Sequence, residues 1–234
     1  MIVIGTAGWS ISKSVRDRFP SEGSALSRYA AVLDGVEINS SFYKTHRPDT
    51  WRRWADSVPD HFRFSVKTPR AITHDVRLAG AEAAFDAFMQ DAGLLGQKLG
   101  PLLLQLPPNM VFVPEVAKTF LTHLRSVFDG GVVIEPRHPS WASEEVTLLL
   151  TEHRISRVVA DPAPIDSPGT SPGEIYYLRL HGAPKIYYTA YKPEALARFA
   201  ADLTASDSPQ KWCVFDNTAS GAALPNALAM RDLL

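Results

Sequence analysis

Eight short β-rich runs constrain this 234-residue chain more than any other feature of its sequence. They are Ile2–Gly5, Val36–Asn39, Phe62–Lys67, Leu102–Gln105, Val132–Arg137, Arg157–Asp161, Ile175–His181 and Trp212–Asp216. Helical periodicity separates most of them. Leu26, Tyr29, Ala30 and Leu33 form one apolar stripe, and Phe85, Phe88, Met89 and Ala92 another. Val116, Phe120, Leu124 and Val127 follow Pro114, which suits a first helical turn. Ser143-Glu-Glu opens a further helix with acid at its positive end. Leu196, Phe199, Ala200 and Leu203 give the cleanest stripe, and residues 224–234 read as a closing helix.

Strands that alternate with helices pair in parallel, because a parallel pair needs a crossover connection. Eight such units predict an α/β fold, a single compact (β/α)8 barrel of the TIM type. The open doubly wound sheet is the alternative, but it usually carries a glycine-rich phosphate turn after its first strand. Here Gly5-Thr-Ala-Gly8 runs into Trp9-Ser-Ile, which does not read as one. One connection breaks the rhythm. Residues 162–173 hold four prolines and two glycines without helical pattern, so an irregular connection is expected between strands six and seven. No linker or repeat divides the chain, and residues 1–234 read as one domain.

Composition narrows the function classes. The net charge of -1 and pI of about 6.7 argue against a general nucleic-acid binder, which carries a basic excess. A single cysteine, Cys213, excludes an internal disulfide framework and a cysteine-cluster metal site. No apolar run approaches the roughly 18 residues of a membrane span. The opening Met1-Ile-Val-Ile-Gly lacks a basic leader pattern, so a cytoplasmic protein is expected. Nothing in the sequence calls for more than a monomer or a weak oligomer.

Side chains alternate across a strand, so in a barrel one parity faces the lumen. The expected inward set is Glu37 and Asn39, then Arg63, Ser65 and Lys67, then Leu103 and Gln105. It continues with Val133, Glu135 and Arg137, with Val159 and Asp161, with Arg179 and His181, and with Asp216, followed by Asn217. The polar members gather at the C-terminal strand ends, where barrel enzymes place their chemistry. So many charges are costly to bury unless they pair with one another or hold a ligand.

The motifs resemble the YecE-like family, domain-of-unknown-function family 72. They include Gly5-Thr-Ala-Gly-Trp-Ser10, Val36-Glu-Ile-Asn-Ser-Ser-Phe-Tyr43, Phe64-Ser-Val-Lys67 with Ile72-Thr-His74, and Leu99-Gly-Pro-Leu-Leu-Leu-Gln-Leu-Pro-Pro108. Ile134-Glu-Pro-Arg-His-Pro-Ser-Trp141, Asp161, Leu178-Arg-Leu-His-Gly182 and Phe215-Asp-Asn-Thr218 complete the set. The resemblance implies a TIM-type barrel of about this length, and it brings no reaction with it. Similar sequences often carry an aromatic-rich stretch after the first motif, where this chain reads Ile11-Ser-Lys-Ser-Val-Arg-Asp-Arg18.

The inward residues suit three chemistries. Glu37 and Glu135 are the expected acid/base pair, with Asp161, His181 and Asp216 as further catalytic candidates. Lys67, Arg137 and Arg179 form an anion-binding set, since arginine forks grip carboxylate and phosphate. Asn39, Gln105 and Asn217 would place hydroxyls. Trp9, Tyr43, Trp141, Tyr188 and Tyr191 are expected at the rim, and His74 and His138 beside it. The reading is therefore a small-metabolite enzyme, hydrolase or isomerase in kind, acting on a polar or anionic, carbohydrate-like or phosphorylated substrate. No cofactor motif is apparent. Glu37, Glu135, Asp161, His181 and Asp216 also suit a divalent ion, so a metal-dependent sugar isomerase or phosphoesterase is one alternative. A non-catalytic metabolite-binding barrel is the other. His46, His61, His123 and His153 read as surface, and Trp51 and Trp54 as packed with Arg52 and Arg53 facing solvent. The loop Gly182–Tyr191, with Tyr187 and Tyr188, reads as a lid.

Overall fold

The computed structural model describes residues 2–166 and 174–234. Its strands are β1 (Ile2–Thr6), β2 (Gly35–Ile38), β3 (Arg63–Lys67), β4 (Leu99–Gln105), β5 (Val132–Glu135), β6 (Ser156–Asp161), β7 (Ile175–Leu180) and β8 (Gln210–Phe215). All pair in parallel in the order β1-β8-β7-β6-β5-β4-β3-β2. The helices are α1 (Ala25–Ala30), α2 (Ser40–Tyr43), α3 (Pro48–Asp56), α4 (Glu82–Ala92), α5 (Pro114–Val127), α6 (Glu144–Glu152), α7 (Pro193–Ala205) and α8 (Ala223–Arg231). The expected TIM-like α/β barrel is the observed fold, and all eight expected strands are present.

Capping follows the sequence. Ser24 and Ser143 accept hydrogen bonds from Ser27 and Val146 N–H at the starts of α1 and α6, and Pro114 and Pro193 begin α5 and α7. The amphipathic stripes bury Phe85, Phe120, Leu124, Leu196 and Leu203 in the layer between helices and sheet. A smaller cluster of Val3, Leu103, Val133, Ile175, Tyr177, Trp212 and Val214 fills the lower lumen. Its floor therefore needs no polar partner.

Closure between β1 and β2 is the difficult step, because only an Ala7–Glu37 bridge joins the two strands. Two glycines let the strands approach. A Cβ on Gly5 would lie 2.2 Å from Gly35 O, and one on Gly35 would lie 2.4 Å from Val3 Cγ1. Tyr29, from α1, supplies the missing ladder contact. Thr6 N–H donates to its hydroxyl at 2.9 Å, and that hydroxyl donates to Gly35 O at 3.1 Å. A helix side chain thus carries a hydrogen bond that a backbone pair cannot make.

The connection from β6 to β7 carries no helix among the described residues, and residues 167–173 of the expected irregular loop lie outside them. Among the described residues, β6 is less covered than its neighbours, with four of its six residues only half-buried. A cavity of about 420 Å³ borders it, lined in part by Arg157, Val159, Ile165 and Tyr176. This corrects one sequence expectation. Val158 packs with the lumen cluster and Val159 with the outer core, so Asp161 faces outward rather than into the barrel.

Tyr29→Phe leaves Thr6 N–H and Gly35 C=O buried without their partner. We expect a loss of about 1–3 kcal/mol in urea unfolding, the cost of buried unsatisfied polar groups; an unchanged midpoint would mean that the seam closes by other means.

Candidate active site at the barrel mouth

Strand ends β2, β5, β7 and β8 deliver Glu37, Glu135, Arg179, His181 and Asp216 to one point above the apolar floor. Arg179 is wholly buried and sits at their centre. Its Nε and Nη2 grip Glu37 side-on, at 3.0 Å to Oε2 and 2.8 Å to Oε1. Nη1 reaches Glu135 Oε2 at 3.1 Å, and Nη2 also reaches Asp216 Oδ2 at 3.0 Å. One planar cation thereby serves three carboxylates, a task that its five fixed donors suit and an ammonium would not.

Each acid has further donors. Tyr177 donates to Glu37 Oε2 at 2.9 Å and meets Ser65 Oγ at 2.8 Å. Glu135 Oε1 accepts from Gln105 Nε2 at 3.0 Å and from Arg137 Nη2 at 2.8 Å. Glu37 and Glu135 are 0% and 1% exposed. The pair expected to exchange protons with a substrate is instead enclosed beneath the site, with its oxygens already occupied. Burial alone would raise the Glu135 carboxyl, but Arg179, His181 and Arg137 together hold it well below its ordinary value.

His181 lies between Glu135 Oε1 at 3.3 Å and Asp216 Oδ2 at 3.1 Å. Both ring nitrogens face carboxylate oxygens, an arrangement that favours the imidazolium, while Arg179 Nη1 at 3.3 Å from Nε2 opposes it. Burial opposes this charge, while the hydrogen bonds to Asp216 and Glu135 raise the ring above its usual value. Asp216 is lowered because Arg179 and His181 outweigh its burial. Its Oδ1 has only a long 3.4 Å contact from Asn39 Nδ2, which leaves it the least occupied carboxylate oxygen of the cluster.

Lys67 and His74 flank Phe42. The Lys67 ammonium lies 4.1 Å from that ring's centroid, and the His74 ring stands edge-on to it at 4.8 Å. Burial, helped by Arg179, brings Lys67 down to about 8 against the pull of Glu37 and Asp216. Burial together with Lys67, Arg70 and Arg137 lowers His74 to about 4, so it is neutral at physiological pH. Arg137 covers Glu135 from the mouth side and is partly exposed.

The expected set thus separates into two groups. Glu37, Asn39, Lys67, Gln105, Glu135, Arg137, Arg179, His181 and Asp216 converge, with His74 adjoining. The others take different positions. Asp161 accepts a hydrogen bond from the Tyr191 hydroxyl at 2.8 Å, outside the lumen. Trp141 is no rim residue: it is fully buried, packed against Phe112, and its indole donates to Met110 O. Asn217 is framework, donating to Thr189 O and Asn226 Oδ1. His138 caps its own turn by accepting from Ser140 N–H. Trp9 packs edge-on to Trp54, while Tyr43 and Tyr188 are exposed. One histidine expected at the surface is not there: His153 is buried against Thr122. His46 is half-buried, edge-on to Trp51 and Trp54.

Two tyrosines stand at the site where the sequence reading did not place them: Tyr177 was absent from the expected set, and Tyr187 was expected only as part of a lid. Tyr177 shares its parity with Arg179, which was the available signal. Tyr187 stands edge-on to His181, with ring centroids 5.7 Å apart, and holds a φ of 70°. That backbone conformation is costly for an aromatic residue and is retained where the surroundings enforce it. Here Tyr187 N–H donates to His181 O, and Ala219 N–H to Tyr187 O. The loop expected as a lid is fastened at both points.

The carboxylate set does not fit a divalent ion. Arg179 occupies the point on which the acids converge, and no group of three His, Cys, Asp or Glu side chains among the described residues is arranged to hold a metal. The same residues also have no helix long and apolar enough to cross a membrane.

Comparison with known proteins agrees with this architecture. Residues 3–234 match the family model described as protein of unknown function DUF72. The chain belongs to the DUF72 family. It is 33% identical over 173 residues to the UPF0759 protein YecE of Escherichia coli K12, covering 70% of this chain and 61% of that protein. The UPF0759 protein YunF of Bacillus subtilis 168 is 29% identical over 153 residues, 61% of this chain and 53% of that protein. These matches thus span about three fifths or less of the curated relatives' length. The crystal structure of a DUF72 family protein from Thermotoga maritima MSB8 matches with a TM-score of 0.83 at 25% identity, covering 100% of this chain and 98% of that one. One from Enterococcus faecalis V583 gives 0.83 at 22%, covering 100% and 95%.

Arg179→Met leaves the buried acids without their shared cation, and we expect a loss of about 3–5 kcal/mol in chemical denaturation. The wild-type pH profile should decline on both flanks. Glu135 and Asp216 are lowered on folding, so their contribution is complete above about pH 4 and is lost as pH falls through their folded values. His181 is raised, so its contribution is complete below about pH 6.5 and is lost as pH rises through its folded value. His181→Gln should remove the alkaline decline and also shrink the acid one, because His181 helps to hold Glu135 and Asp216 down; an alkaline decline that persists in that variant would be assigned elsewhere.

Proposed function

We propose that the barrel mouth binds a small anionic metabolite, carbohydrate-like or phosphorylated, and performs acid/base chemistry of the hydrolase or isomerase kind on it. One observation carries this reading. Glu37, Glu135 and Asp216 are matched by Arg179, His181 and Arg137, and Lys67 remains as a positive charge in excess. The cations nearest the opening are Arg137 and Lys67, so the surface offered to a ligand is positive although the protein as a whole is not. Arg137 directs Nε and Nη2 to Glu135 Oε1, and the Nη1 side of its guanidinium is the edge suited to phosphate or carboxylate.

The reacting protons belong to the His181–Asp216 pair rather than to the two glutamates. His181 stores an acidic proton against Asp216, and Asp216 Oδ1 is the carboxylate oxygen with room for a new partner. Glu37 and Glu135 act as fixed charges that keep Arg179 and His181 in place. A pre-arranged set of this kind stabilises charge that develops during reaction without reorganising. The metal-dependent alternative finds no support in this donor set. The non-catalytic alternative differs from the leading reading only in turnover.

Titration calorimetry with glucose 6-phosphate, glucuronate and glucose tests the proposal. The two anions should bind and glucose should not, with affinity falling as salt rises. Arg137→Ala should weaken both anions at least tenfold, consistent with loss of a charge-assisted hydrogen bond worth about 1.5–3 kcal/mol. Equal binding of glucose, or indifference to Arg137→Ala, would overturn the reading. Anion binding that never leads to conversion in any tested metabolite would leave a binding barrel.

A further inference from the structure

Lys67 differs from every other cation of the mouth. Arg137, Arg179 and His181 each meet a carboxylate within 4 Å, and Lys67 forms no such pair among the described residues. The reason lies in the competition. Arg179 and His181 have already taken the acids that Lys67 faces, Glu37 and Asp216. Lys67 is nevertheless only 7% exposed, and its nitrogen rests over the Phe42 ring. Such a seat strips water from the ammonium and returns only a cation–π contact. A fixed guanidinium nearby disfavours its charge further. Anion binding alone needs none of these features, since an exposed lysine does it better. A lysine that must become a neutral amine needs all of them.

We infer that Lys67 is a nucleophile that forms an imine with a small aldehyde or ketone carrying a phosphate or carboxylate group. This rests on the anion-binding reading above and gives it a substrate class. Arg137 holds the anionic group while the carbonyl carbon meets Lys67 Nζ. The ammonium first releases a proton to solvent. The nitrogen lone pair then forms the C–N bond as the carbonyl π electrons move to oxygen. The N–H proton passes to that oxygen and gives a carbinolamine. A second proton, for which His181 is the stored source, lets the oxygen leave as water and yields the protonated imine. Atoms and charge balance without oxidant or reductant. The iminium restores the positive charge that Lys67 gave up, and the charge that His181 surrenders returns when the ring takes a proton back from solvent. It also draws electrons from the adjacent C–H bond, where Asp216 Oδ1 is a candidate base. Isomerisation is therefore favoured over hydrolysis.

The test is reductive trapping. The protein is incubated with dihydroxyacetone phosphate and sodium cyanoborohydride, then examined by intact mass and peptide mapping. We expect one adduct per chain, on the peptide containing Lys67, forming at least tenfold faster at pH 7.5 than any adduct on exposed Lys118. The trapping rate should rise with pH through a midpoint near 8 and level off about one unit higher, against a midpoint above 10 for an ordinary lysine. Lys67→Arg keeps the charge and should abolish the adduct; circular dichroism verifies its fold. Label spread over exposed lysines at equal rates, or a rate still climbing at pH 10, would overturn the inference, and this wild-type profile stands even if the variant does not fold. Calorimetry with glycerol 3-phosphate, which has no carbonyl, separates the two proposals. Arg137-dependent binding without trapping refutes the lysine role alone, and absence of both refutes the two together.

Discussion

A single guanidinium organises this barrel. Burying three carboxylates in one lumen would cost several kcal/mol for each ion if they stood alone. Arg179 meets all three, and its contacts reach strands β2, β5 and β8 from β7. The interaction is therefore a cross-lumen tie as well as a charge balance. It takes the place of the hydrophobic layers that usually fill the upper half of such a barrel. The apolar cluster below it seals the floor, and Tyr177 joins the two regimes by stacking on Trp212 while donating to Glu37.

That arrangement also decides which residues are left to meet a ligand. The more completely Arg179 satisfies the acids, the less they can do for Lys67. A network that is static at its centre creates an unusual cation at its edge. Stability and reactivity are then two results of one allocation of hydrogen bonds, consistent with the general cost of placing function in a packed structure.

Much of this was legible in the sequence. Parallel strands covered on both faces read as dense apolar runs, and all eight could be placed. Strand parity then selected Glu37, Lys67, Gln105, Glu135, Arg179, His181 and Asp216 correctly. It failed at β6, where the phase was anchored on the polar end residue Asp161. With no helix described over its outer face, that strand carries polar side chains outward, such as Arg157 and Asp161, and turns Val158 inward, which inverts the usual cue. Parity also says nothing about partners. It marked Glu37 and Glu135 as a catalytic pair because it could not show that one arginine holds both. Trp141 was misjudged for a related reason, since a tryptophan near a strand end is as readily packed as displayed. The strained backbone of Tyr187 left no sequence signal, because no glycine or asparagine marks the position.

The distribution of these charges along the chain has a bearing on how the protein comes to be folded. Glu37 and Glu135 precede Arg179 by 142 and 44 residues. During synthesis, strands β1 to β5 emerge with both acids and with Lys67, and Arg137 follows directly, but the guanidinium that ties the two acids together is still absent. A half-barrel assembled at that stage leaves Glu37 without its bidentate partner. The upper lumen therefore lacks its central tie until β7 arrives. The barrel cannot be treated as two half-barrels that ripen separately.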